Sequence, residues 1–295
     1  MLRIVLAYCA MCLIWGTTWL AIKIGLHTLG PLTGVGLRFV IAGSILYGVA
    51  ALRRELVPWR DLPWDAILVF ATSLCGLNYV LNYVSELRID SGLAALLFGT
   101  MPFFVFLFGA LMIRERPRPI VWAGTLVAFA GLAVISLTGE VRGSPLFALA
   151  SVVAAGLAGF ANVYAKRHTH RSPLVTLPPS MLLSGVVVTI GGLIFERTDW
   201  LGVFTPSSLG ALLYLAVIGS CVAFFLFLWL LQHLPAYVTG LAAIIYPMVA
   251  LAVGALFGGE HFGTRELIGS ALVIAGLALS LSRPASSPAM ASLEP

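Results

Sequence analysis

Long apolar runs alternate with short polar clusters along this sequence. Each run approaches the twenty or so apolar residues that a helix needs to cross the hydrocarbon core of a bilayer. Ten can be drawn, roughly 4–23, 32–52, 66–87, 91–113, 119–137, 145–165, 175–195, 209–231, 236–257 and 266–282. The connectors are short and hold Pro, Gly and most of the charge, which predicts helices packed as antiparallel neighbours. The longest polar links are 53–65 and 166–173. After Arg283 the residues are mostly Pro, Ser and Ala without periodicity, and 284–295 reads as a disordered tail.

Composition excludes the soluble alternative. Hydrophobic residues make up 60% of the chain, charged residues 10%, and the mean hydropathy is +1.02. The expectation is an all-α integral membrane protein. A net charge of +5 would otherwise invite a nucleic-acid partner, but in a membrane chain Lys and Arg mainly fix orientation. With the N-terminus inside, eleven of the 17 basic residues fall on the cytoplasmic side and five outside, with Arg38 inside the second run. Both termini are therefore expected in the cytoplasm. The first run, through Trp15, Trp19 and Lys23, carries no small-residue cleavage site and reads as a retained helix. Cys9, Cys12, Cys75 and Cys221 all lie within apolar runs and read as small fillers, so neither metal nor cofactor is expected.

A longer period lies over the first. Pro102, Gly109, Glu115, Gly124 and Ala130-Gly131-Leu132-Ala133 return as Pro247, Gly254, Glu260, Gly269 and Ala275-Gly276-Leu277-Ala278, each displaced by 145 residues. Five runs fall in each copy. An odd number starts the second copy on the opposite side, which predicts two inverted five-helix repeats, 1–140 and 141–283, with a substrate site near the midplane. Glu115 and Glu260 would then sit at helix ends on opposite faces, each expected to accept from the first amides of the following helix.

Trp15-Gly16, Lys23, Pro31, Arg38 and Ala42, followed by the Pro…Glu…Gly…Ala-Gly pattern in both halves, resemble the EamA-type drug/metabolite transporter superfamily. The resemblance covers all but the tail. Gly16 and Lys23 pair with Gly159 and Lys166, whereas Trp15 faces Ala158, a sign that the halves have specialised. The resemblance implies a ten-helix carrier of small organic metabolites in the bacterial inner membrane, with amino acids, aromatic ones included, as cargo. No cofactor is expected, and a monomer is compatible with the sequence, which does not itself set the oligomeric state.

Polar side chains at membrane depth usually face a bundle interior or a cavity. In the third run Cys75, Asn78, Tyr79, Asn82, Tyr83 and Glu86 share one helical face. Their amides and hydroxyls suit an ammonium and a carboxylate, although Asn can equally bond neighbouring helices. Aligning Cys75 with Cys221 sets that face against Phe224, Phe225, Leu228, Trp229 and Gln232: a polar wall against an aromatic one, or simply packing and lipid contact. Trp15, Trp19 and Asn162 are further cavity candidates. Pro102 and Pro247 fall mid-run, where they should kink their helices and act as hinges, with Tyr246 as a gate or the kinks static. Glu86, Lys23 and Arg38 are the coupling candidates. Glu86 and Glu140 lie near outer ends, Lys23 can snorkel, and Arg38 needs a carbonyl or anionic partner. His27, His168, His170, His233 and His261 all lie near run ends or in loops, and no catalytic grouping appears, so an enzyme is not expected. A channel lined by the polar stripe, or a carrier of other metabolites or drugs, remains the alternative.

Overall fold

A computed structural model describes residues 2–89, 91–136, 145–168, 172–257 and 264–281. Glu140, His170, Glu260, His261 and the segment 284–295 lie outside the described residues. Within them the regular elements are helices. Apart from short helical turns at Trp59–Asp61 and Trp200–Val203, these are, in chain order, α1 (Leu2–Gly25), α2 (Pro31–Leu52), α3 (Trp64–Ser85), α4 (Ser91–Phe98), α5 (Met101–Met112), α6 (Pro119–Ser136), α7 (Pro145–Arg167), α8 (Pro173–Phe195), α9 (Pro206–His233), α10 (Ala236–Gly240), α11 (Ala242–Phe257) and α12 (Thr264–Leu281). Six of them, α1, α2, α3, α7, α8 and α9, are long and apolar enough to cross a membrane. The other apolar helices are shorter. Proline opens several elements because its fixed φ suits the first helical turn and its missing N–H has no acceptor there. At Pro173 the preceding Ser172 adds a cap, its Oγ accepting from Leu174 N at 3.3 Å.

Two expected runs are interrupted. The run 91–113 breaks at Gly99-Thr100, just before Pro102, which sits in the first turn of α5, where its missing N–H has no helical acceptor to lose. The run 236–257 breaks at Leu241, six residues before Pro247, which lies inside α11. α3 and α9 are unbroken but each contains a π-helical stretch, Phe70–Gly76 and Val217–Val222.

Helix packing relies on small residues, as expected where lipid offers no hydrophobic drive between helices. α2 lies along α8, Gly36 against Thr189 and Gly185 against Val40. α6 lies along α12, Gly124 against Ser280 and Gly276 against Ala128. In both pairs a later contact on one helix meets an earlier one on the other, so each pair is antiparallel. A Cβ at any of these four glycines would collide with the facing backbone or side chain.

Carboxylates tie helix ends across the bundle. Glu196, at the end of α8, accepts from Leu32 N at 2.7 Å and Thr33 N at 2.8 Å, capping α2. Glu55, beyond the end of α2, accepts from Ser172 Oγ at 2.6 Å, at the start of α8. Glu115 does cap a helix, but not the following one: it accepts from Ala236 N at 3.1 Å and Tyr237 N at 3.0 Å, the first residues of α10. A glutamate in a loop can reach any amide end that the fold brings near, and chain order does not say which.

Candidate functional site

A cavity opens between α3 on one side and α1, α9 and α11 on the other, with Phe98, Met101 and Ala158 closing its flank. One wall is polar and comes from α3: Asn78, Tyr79, Asn82 and Tyr83. Asn78 is 5% exposed and Tyr83 3% exposed, yet Asn78 Oδ1, Asn82 Oδ1, Tyr83 OH and Glu86 Oε1 have no hydrogen-bond partner among the described residues. Buried polar atoms are normally satisfied, because leaving one unpaired away from water is costly. Three of them, on Asn78, Asn82 and Tyr83, lie on this wall and make it ready for a ligand that carries polar groups.

The opposite wall is aromatic. Trp15 packs edge-on to Phe224 (5.4 Å between ring centroids) and Tyr246 (5.6 Å), and lies 5.6 Å from Phe227. Phe39 and Tyr79 continue the cluster, 5.1 Å apart and each 6.1 Å from Phe224. Edge-to-face pairs of this kind add to the burial of the rings. The wall is held by the π-helical stretch of α9. There the carbonyl of Gly219 accepts from Trp15 Nε1 at 3.2 Å and from Arg38 Nη2 at 3.0 Å, while Ser220 Oγ donates five residues back to Leu215 O at 2.9 Å. Interruptions of the α-helical ladder of this kind recur at functional sites.

Trp15, Trp19, Asn78, Tyr79, Asn82, Tyr83 and Tyr246 therefore share one cavity. Asn162 is fully buried beside it, not in its lining, and its Nδ2 donates to Thr239 Oγ1 at 3.1 Å. Phe225 is 36% exposed and Trp229 stacks on His233 at 4.2 Å, so neither lines the cavity. Phe224, named with them from the sequence, does line it, and so does Phe227. Pairing the two cysteine-bearing helices picks the helix that supplies this wall, and Phe224 from that pairing lines the cavity. Leu74, Thr18, Ile22 and Thr239 also line it. Nothing in their side-chain chemistry marks them in the sequence.

Lys23 is exposed, at the cavity's Glu86 end. Pro102 is buried in the first turn of α5, next to the lining residue Met101. Pro247 directly follows the lining residue Tyr246. At the other end of the bundle Lys166 Nζ donates to Leu231 O at 2.6 Å and Leu234 O at 2.8 Å. These carbonyls close α9, just before the amides that Glu115 caps. Cation on carbonyls and carboxylate on amides is the pairing that helix dipoles favour.

The sequence profile of the EamA-like transporter family matches residues 2–137 and again 144–282. The chain belongs to the EamA-like transporter family. It is 29% identical over 274 residues to the uncharacterized inner membrane transporter YedA of Escherichia coli (strain K12), covering 92% of this chain and 88% of that one. It is 27% identical over 277 residues to protein PagO of Salmonella typhimurium, covering 91% and 90%. A probable amino-acid metabolite efflux pump of Salmonella typhimurium is 26% identical over 284 residues, covering 91% of each. A solved crystal structure superposes with a TM-score of 0.83 at 19% identity, covering 97% of this chain and 99% of that one. The chain is thus a small-molecule transporter and not an enzyme, a multi-pass protein of the bacterial inner membrane.

Proposed function

We propose that this transporter is a secondary carrier that exports amino acids, aromatic ones among them, by alternating access around the cavity between α3 and α9. One observation carries the reading: a wall bearing the unpartnered oxygens of Asn78, Asn82 and Tyr83 faces a wall of rings across the cavity. An amphipathic substrate with an ammonium, a carboxylate and an apolar or aromatic side chain satisfies both walls at once. Asn78, Tyr79, Asn82 and Tyr83 take its polar end, with Asn162 behind them. Trp15, Trp19 and Phe224 take the ring, with Phe225 and Trp229 supporting that wall from outside.

The ten-helix inverted repeat belongs to this proposal, as do the divisions 1–140 and 141–283 and the cytoplasmic termini. Two independent matches of one family profile support it, as does the antiparallel packing of the second run on the seventh and the fifth on the tenth. The excess of Lys and Arg at one set of helix ends supports the orientation. In that orientation the ties made by Lys166 and Glu115 close the cytoplasmic end, which favours a carrier with one end sealed over an open pore. Transport is by downhill movement, with Glu86 the position for a proton if exchange is coupled, and a monomer suffices.

The test is counterflow in proteoliposomes with Trp, Phe, Thr and a cationic drug, with and without a pH gradient. Uptake of an amino acid that saturates and is stimulated by the same amino acid inside is the expected result. Linear, unsaturated flux would make the cavity a pore. Uptake of the drug alone would move the substrate class and leave the carrier standing.

A further inference from the structure

Arg38 carries a full charge at membrane depth and is 0% exposed. Its partners are all neutral. Nε donates to Ser220 Oγ at 2.7 Å and Nη2 to Gly219 O at 3.0 Å. The guanidinium carbon lies 4.8 Å from the centre of the Tyr79 ring and 5.4 Å from that of Phe39. Nη1 has no hydrogen-bond partner, and no carboxylate among the described residues pairs with the group. A buried cation of this kind is costly unless an anion meets its field.

Its field enters the cavity. Tyr79, over whose ring the guanidinium sits, is a cavity wall, and so are Thr18 and Trp15 on the far side of the Gly219 carbonyl. The carbonyl and hydroxyl that hold the group supply only partial charges, so the positive potential is not cancelled. No described side chain on the cavity lining is acidic. Glu86 lies two turns along α3 from Tyr79, at the Lys23 end.

We propose that Arg38 makes the cavity select substrates that carry a carboxylate, acting from behind Tyr79 as a specificity-determining residue rather than by direct contact. This rests on the reading of the cavity as a site for small amphipathic molecules. It adds that removing the carboxylate from a substrate, while keeping its ring and ammonium, weakens binding at least about tenfold, the scale of a unit-charge attraction across a protein interior of this width.

The experiment compares phenylalanine with phenethylamine, which has the same ring and ammonium without the carboxylate, as competitors of substrate uptake by the full chain in proteoliposomes. Wild type should favour phenylalanine. Arg38→Gln should abolish the preference, Arg38→Lys should keep most of it, and Ser220→Ala, which removes a ligand of Arg38 but not its charge, should keep it too. A role confined to clamping α2 to α9 predicts otherwise: both competitors weaken in parallel in Arg38→Gln and Ser220→Ala. That result overturns the proposal. If Arg38→Gln does not fold, the wild-type ratio still decides, since equal competition by the two compounds overturns the proposal while leaving the cavity reading intact. Binding of neither compound removes the cavity reading itself.

Discussion

At the scale of single residues, the buried amide of Asn78 separates a structural wall from a functional one. Its carbonyl oxygen is unpartnered among the described residues although the residue is 95% buried, being 5% exposed. An amide that served only to bond a neighbouring helix would be satisfied, as Asn162 is by Thr239. Replacing Asn78 by Leu removes an unsatisfied group from an apolar setting and keeps the volume close. The expected outcome is a gain of about 1 kcal/mol in stability together with a loss of roughly tenfold in uptake. Thermal unfolding in detergent and proteoliposome uptake check the two halves of this statement. A lower midpoint would mean that the amide holds the bundle together. The residue types on this wall were legible in the sequence, because a polar stripe at spacings of three and four stands out in an apolar helix. Their freedom from partners was not, since that depends on what faces them.

At the scale of helices, the two prolines of the repeat have parted company. Pro102 opens α5 after a break, where its missing N–H is harmless, whereas Pro247 stands inside α11 and leaves its turn without one ladder bond. Pro102→Ala should change stability by no more than about 0.5 kcal/mol and leave transport unaltered. Pro247→Ala should slow exchange more than it weakens substrate binding, because it stiffens the helix that bears Tyr246. Counterflow rates and competition constants on the same vesicles separate the two effects, and an unchanged exchange rate in Pro247→Ala would remove the hinge. The positions of the six long apolar helices were readable from hydropathy, as were their approximate ends. The interruptions were readable only in part. The break at Gly99-Thr100 falls just before Pro102, which disfavours helix in the residues ahead of it, whereas Leu241 carries no stronger local signal than many leucines that stay helical. The π-helical turn at Val217–Val222 depends on Arg38 and Trp15 reaching one carbonyl from other helices, and local sequence cannot encode a partner more than 180 residues away.

At the scale of the whole molecule, the two stretches that match one family profile differ in the state of their helix ends. Lys166 at the end of α7 grips the last carbonyls of α9, and Glu115 takes the first amides of α10, so one short hairpin is held from both sides. Lys23, which corresponds to Lys166 by the Gly16–Gly159 pairing, is exposed and makes no hydrogen bond or ion pair with a described residue. In an inverted pair the two lysines would do the same work at opposite ends and at different times. Hydrogen bonds to a charged donor contribute about 1.5–3 kcal/mol each, so losing the Lys166 ties should move the balance between the two access states by about tenfold or more. The reporter is a cysteine at Thr239, which is 2% exposed beside Asn162, introduced after the native cysteines are removed and labelled by an impermeant maleimide from the cytoplasmic side. Lys166→Met should raise the labelling rate about tenfold, and Lys23→Met, which weakens the opposite closed end, should lower it. Lys166→Arg keeps the charge and should restore the slow rate. Opposite signs from two equivalent lysines are what alternating closure of two ends requires. A pore open throughout would show fast labelling in every variant, and lysines needed only for folding would shift both variants the same way.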